Sequence, residues 1–126
     1  MKNLHFTILE HHTSDGTHWD LLLEHPETEF LLTWSTKTSP ESLFQITHKN
    51  KNHNPSEPFI ISSSFFQRKP DHRNIYLTYE GEISGGRGTV RRWDSGTYTI
   101  IAQNEFFWEV LLHSEKINAH VYLDTS

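Results

Sequence analysis

Short stretches in which apolar residues alternate with polar ones, or run together briefly, recur along the chain and are separated by turn chemistry. No window sustains the period of an amphipathic helix, so the pattern predicts a mainly β protein. The candidate strands are Leu4–Glu10, His18–Glu24, Phe30–Ser35, Leu43–His48, Phe59–Ser62, Asn74–Glu80, Gly88–Trp93, Thr97–Ala102, Phe106–His113 and Ile117–Leu123. Between them, HPET, SGGRG, DSG and HSEK suit hairpins or short loops. The polar segment His48–Pro58, with prolines at both 55 and 58, reads as an exposed loop inside the domain. Ser39 is placed to cap a single helical turn beginning at Pro40, overlapping the fourth strand. Many short antiparallel strands must avoid open edges, which predicts a compact antiparallel β-barrel-like domain with little helix, a sandwich being the rival arrangement.

A chain of 126 residues fits one domain, 1–126, with no linker. Aromatic residues reach 13% against 34% hydrophobic, so Phe, Tyr and Trp must supply much of the buried area, and Trp34, Trp93 and Trp108 fall on strand positions suited to the core. The absence of cysteine excludes disulfides and thiolate metal sites, leaving His, Asp and Glu as metal ligands. A formal charge of −5 argues against non-specific coating of nucleic acid. No apolar run approaches a membrane span and residues 1–10 hold no signal-like apolar core, so a soluble, cytoplasmic protein without a membrane partner is expected.

Chemistry concentrates in HHTSDGTHWDLLLE, His11 to Glu24. On a strand, Trp19, Leu21 and Leu23 point one way and His18, Asp20, Leu22 and Glu24 the other. His18 and Asp20 then share one face, and His12, across a Ser-Asp-Gly turn, is placed to swing back as a third ligand. Two imidazoles and a carboxylate suit manganese, zinc, cobalt or iron and offer little to calcium. A solvated polar face explains His18 and Asp20 equally well from spacing alone. His5, His11, His25, His48 and His53 read as ordinary surface side chains, although His11 adjoins His12; His113 and His120 read as structural or surface residues.

Further along, Asp71-His72, Tyr76 and Glu80-Gly81 precede the Gly-rich turn, and Gly88-Thr89-Val90, Trp93-Asp94 and Gly96-Thr97-Tyr98 follow it. With the His12, His18 and Asp20 group, this constellation resembles the 3′-phosphoesterase domain at the N-terminus of bacterial DNA ligase D, over nearly the whole chain. The resemblance implies a free-standing, β-barrel-like domain that heals DNA 3′ ends in repair, removing a terminal ribonucleoside and then the 3′-phosphate. It implies a divalent cation, typically Mn2+, with Zn2+ or Co2+ as alternatives, held by His12, His18 and Asp20. It also implies catalytic roles for His72, at the scissile phosphate, and for Tyr76, as a hydrogen-bond donor. DNA or primer–template 3′ ends would be the partners, with a separate ligase or polymerase.

Two departures stand out. Leu22 replaces an arginine that ligase-associated members carry on the ligand face, and SGGRGTV is shorter than their Gly-rich loop. Arg87, Arg91 and Arg92 then become the candidate substrate-binding cations, within a basic group that includes Arg68, Lys69 and Arg73. Two other functions fit parts of the pattern. One is a phosphate- or nucleic-acid-binding module that has lost the chemistry; the other is a small non-haem iron oxygenase using the same two-histidine, one-carboxylate set.

Overall fold

The first hairpin sets the register of the sheet. β1 (Leu4–Thr13) reverses through Ser14 and Asp15 into β2 (Gly16–Glu24), and Gly16 adopts a φ of 125° that an L side chain resists. This two-residue loop places His11 opposite His18 and Leu9 opposite Asp20. β3 (Phe30–Thr36) adds antiparallel to β2. A computed structural model describes residues 3–44 and 58–125 of the protein.

The remaining strands are β4 (Phe59–Ile61), β5 (Gln67–Arg73), β6 (Gly81–Glu82), β7 (Thr89–Gln103), β8 (Phe107–His113) and β9 (Asn118–Asp124). They form one nine-stranded sheet in the order β4-β9-β8-β7-β1-β2-β3-β5, with β6 paired to the start of β7. All pairings are antiparallel except β4 with β9. The mainly β expectation holds, and the sheet does not close into a barrel: no ladder joins β4 to β5. It curls until β5 touches β9, and the Trp34 indole donates from β3 to the Asp124 carbonyl on β9 at 2.7 Å.

The inner face carries the main core. Phe6, Ile8, Leu21, Leu23, Trp34, Tyr98, Val110, Leu112, Val121 and Leu123 follow the strand alternation, with Trp93 and Trp108 packed at the margin. α1 (Pro40–Leu43) begins as expected, with Ser39 Oγ accepting from the Ser42 amide and Pro40 in the first turn. Leu43 and Phe44 insert into this core, so helix rather than strand begins the segment predicted as Leu43–His48; its remainder lies outside the described residues, as does most of the loop His48–Pro58.

A smaller apolar cluster lies on the opposite face. Leu9, Leu22, Leu31 and Val90 are covered by Tyr76, Leu77, Tyr79 and Ile83. The covering segment corrects a predicted strand: Asn74–Leu77 is a 3₁₀ turn whose Tyr76 and Leu77 cap this cluster instead of joining a ladder, and the strand is β5 just before it. Thr7 Oγ1 pins the turn by donating to the Leu77 carbonyl at 2.7 Å. The predicted strands Gly88–Trp93 and Thr97–Ala102 are one strand, β7. The intervening Asp-Ser-Gly is no turn: a bulge beside Asp94 absorbs one extra residue against β1, and Asp94 accepts from Ser114 Oγ at 2.5 Å. Among the described residues, no helix is long and apolar enough to cross a membrane.

A candidate metal centre on the outer sheet face

The face opposite the main core carries, beyond the sealed apolar cluster, a group of three potential ligands: His11, His18 and Asp20. His11 and His18 are cross-strand partners, and Asp20 follows His18 by one pleat. His11 Nδ1 and His18 Nε2 lie 3.2 Å apart. His18 Nε2 is 3.3 Å from Asp20 Oδ1, and His11 Nδ1 is 3.7 Å from Asp20 Oδ2. Two ligand atoms at ~2.1 Å from an ion, at a tetrahedral angle, stand about 3.4 Å apart, so these spacings suit a small divalent ion.

Outer partners orient the group. His11 Nε2 donates to the Arg87 main-chain carbonyl at 2.8 Å, which leaves Nδ1 of the neutral ring as the lone pair facing His18 and Asp20. Asp20 is only 4% exposed and accepts from Ser35 Oγ at 2.5 Å. The His11 lone pair, His18 Nε2 and a nearly buried carboxylate converge without a lysine or arginine among them, and the donor set is one that transition metals take.

His12, expected as the third ligand, alternates to the other face of β1. There its Nε2 lies 2.6 Å from Glu10 Oε1 and its Nδ1 2.9 Å from Thr17 Oγ1, and the His11 ring occupies the place expected for His12. His11 was legible in principle: the two-residue Ser14-Asp15 loop pairs position 11 with position 18, whereas placing His12 in the group requires the strand to slip by one residue.

His72 lies on the same face. It pairs with Leu31 in register, and its Nδ1 contacts Thr33 Oγ1 at 3.0 Å and the Pro70 carbonyl at 3.1 Å. Because a carbonyl only accepts, Nδ1 carries the proton and Nε2 is the nitrogen left for proton transfer. Thr33 precedes Ser35 by one pleat, about 7 Å along β3, which places His72 beyond the Asp20 end of the group. Tyr76 packs edge-on against the His72 ring, centroids 5.8 Å apart.

The predicted cations are not gathered around the group. Arg87 turns its guanidinium back on Ser84, donating to its carbonyl at 2.8 Å, and only its own carbonyl reaches His11. Arg91 is 70% exposed on the opposite face, paired with Glu10 at 3.4 Å, while the neighbouring Arg92 points to the site face, where its amide donates to Glu80. Arg68 stacks on Trp34 and bonds Asp71, and Arg73 lies over Tyr76. Instead, a cleft of about 330 Å³ opens beside His18, lined by Ser35, Lys37, Ser64, Phe65, Gln67 and Lys69 among others. Lys37 and Ser64 carried no signal in the sequence, because only the docking of β5 onto β3 brings their segments together.

Gly88 makes the close approach of the Gly-rich turn possible: its φ is 93°, and a Cβ there would lie 2.0 Å from the His12 carbonyl oxygen. No protein-family model matches the chain, and no curated protein matches it.

Proposed function

We propose that the protein is a metal-dependent phosphoesterase. Within that class, it acts on nucleic-acid 3′ ends, removing a 3′-terminal ribonucleotide or 3′-phosphate in DNA repair. The observation that carries this reading is the His11, His18 and Asp20 group opening beside a cleft that holds Lys37 and Lys69, with His72 on the same sheet face. A bound divalent ion, Mn2+ by preference, would supply Lewis-acid polarisation of a phosphoryl oxygen. His11 and His18 offer imidazole nitrogens and Asp20 one carboxylate oxygen. Lys37 and Lys69 attract the non-bridging oxygens of the phosphate, replacing the arginine absent at Leu22. His72 Nε2, held for that role by Thr33 and Pro70, takes the proton of the attacking water and can pass it to the leaving oxygen. Tyr76 fixes the imidazole from its edge.

The net acidic charge favours a transient encounter with nucleic acid, delivered by a separate ligase or polymerase, over tight salt-resistant binding. A second reading, a phosphate-binding module without turnover, is favoured by one observation: Leu22 is fully buried beneath the Tyr76–Ile83 cover, so no cation stands at that point of the face.

The test is hydrolysis of a primer–template ending in a 3′-ribonucleotide or 3′-phosphate, with and without Mn2+, by the wild type, His18→Ala and Asp20→Asn. Release of product that needs both the ion and His18 supports the enzyme. Retained binding of the same DNA with no product from any protein supports the binding module. Turnover that survives both substitutions overturns the metal-centre reading.

A further inference from the structure

Asp20 and Ser35 are direct partners across β2 and β3, and both side chains lie on the site face. A nearly buried carboxylate free to rotate would present either oxygen to either imidazole. Here Ser35 Oγ donates to Oδ1 at 2.5 Å; Oδ1 also lies 3.3 Å from His18 Nε2, and Oδ2, which takes no hydrogen bond from Ser35, lies 3.7 Å from His11 Nδ1. The ladder between β2 and β3 already runs from Trp19–Thr36 to Glu24–Leu31, so this side-chain bond adds little to strand pairing. Its effect is on the carboxylate: rotation is stopped, and the oxygen accepting the hydroxyl becomes the weaker donor.

We infer that Ser35 is a positioning residue that fixes the Asp20 carboxylate, weakens Oδ1 as a donor so that Oδ2 is its stronger ligand oxygen, and thereby sets the metal preference of the site. A carboxylate with one strong and one weakened donor oxygen beside two imidazoles suits a small transition ion. Calcium, which takes six to eight oxygen ligands and often both oxygens of a carboxylate, is disfavoured. The inference rests on the metal reading proposed above. It goes beyond that reading by assigning selectivity to a residue that does not touch the ion.

Calorimetric titration of MnCl2 and, separately, CaCl2 into the wild type, Ser35→Ala and Ser35→Thr tests it, with thermal unfolding of each ion-free protein alongside. Ser35→Ala should bind Mn2+ about 10- to 100-fold more weakly and show a narrowed Mn2+/Ca2+ ratio, while Ser35→Thr, which keeps the hydroxyl, should stay within about threefold of the wild type. A wild type that binds no Mn2+ overturns the metal reading and this inference together. Wild-type binding with an unchanged Ser35→Ala affinity overturns the inference alone, as does an equal loss in Ser35→Ala and Ser35→Thr. If Ser35→Ala does not fold, Ser35→Cys, of similar volume but with a much weaker donor, gives the same reading against the threonine variant.

Discussion

Replacing Leu22 with arginine tests how firmly the outer face is sealed. Restoring a phosphate-binding charge at this position looks attractive from the sequence, but Leu22 has no exposed surface and packs with Leu9, Leu31 and Val90 beneath Tyr76, Leu77, Tyr79 and Ile83. Removing the leucine from that cluster costs about 2–3 kcal/mol of apolar burial. An unpaired buried guanidinium adds about 3–5 kcal/mol, reduced to the extent that its stem can carry the head to water. The sum, ~5 kcal/mol or more, is comparable with the whole stability of a typical domain of this size. With a urea dependence of about 2 kcal/mol per molar, the midpoint should fall by ~2 M or more, or the protein should be unfolded at the outset. Urea unfolding followed by the fluorescence of buried Trp34 reads this directly, with Leu22→Met as a volume-matched control expected to lose less than about 1.5 kcal/mol. A Leu22→Arg midpoint within about 0.5 M of the wild type would refute the reasoning: the cover would then be able to lift and let the guanidinium out. In that event, on the proposed phosphoesterase function, a gain in rate from the added cation is expected.

Two further outcomes are expected. His11→Ala should abolish saturable Mn2+ binding in calorimetry while His12→Ala binds within about threefold of the wild type, because only the first ring faces His18 and Asp20; equal losses would restore the His12 assignment. Burial, and secondarily the charge of Glu24, pushes the Tyr98 phenol above its ordinary range, so the folded state keeps the proton longer than the unfolded chain; this stability is complete below about pH 10 and is lost as pH rises beyond it. Tyr98→Phe loses the hydrogen bond to the Glu24 carbonyl, about 1 kcal/mol at neutral pH, but should show a shallower alkaline decline in urea midpoint; parallel declines would contradict this cause.

Elements carried by strict alternation were legible in the sequence. Leu21 and Leu23 face the core, as predicted, and Ser39 caps α1. Asp20 and Leu22 do share the other face, but that face is largely covered: alternation gives direction, and only tertiary packing decides what lies above. Tyr76, Leu77 and Tyr79 mimic a strand because a segment capping an apolar cluster needs the same residue types as a ladder. The Gly-rich turn was legible as a turn. Its use of a backbone carbonyl to orient His11 was not, since main-chain groups leave no mark on composition.

The seam between β1 and β7 has a consequence for the order of folding. β1, β2 and β3 form a local meander, and β7, β8 and β9 a second one; the two halves meet where Leu4 pairs with Tyr98 and His12 with Thr89. Closing that seam costs the entropy of a long loop before its contacts form, which makes it a slow step. All three candidate ligands belong to the first hairpin, whereas the carbonyl that orients His11 arrives from the second half of the chain. The nascent chain thus holds its ligand side chains near one another early, but they become a site of defined geometry only when the two halves of the sheet are joined.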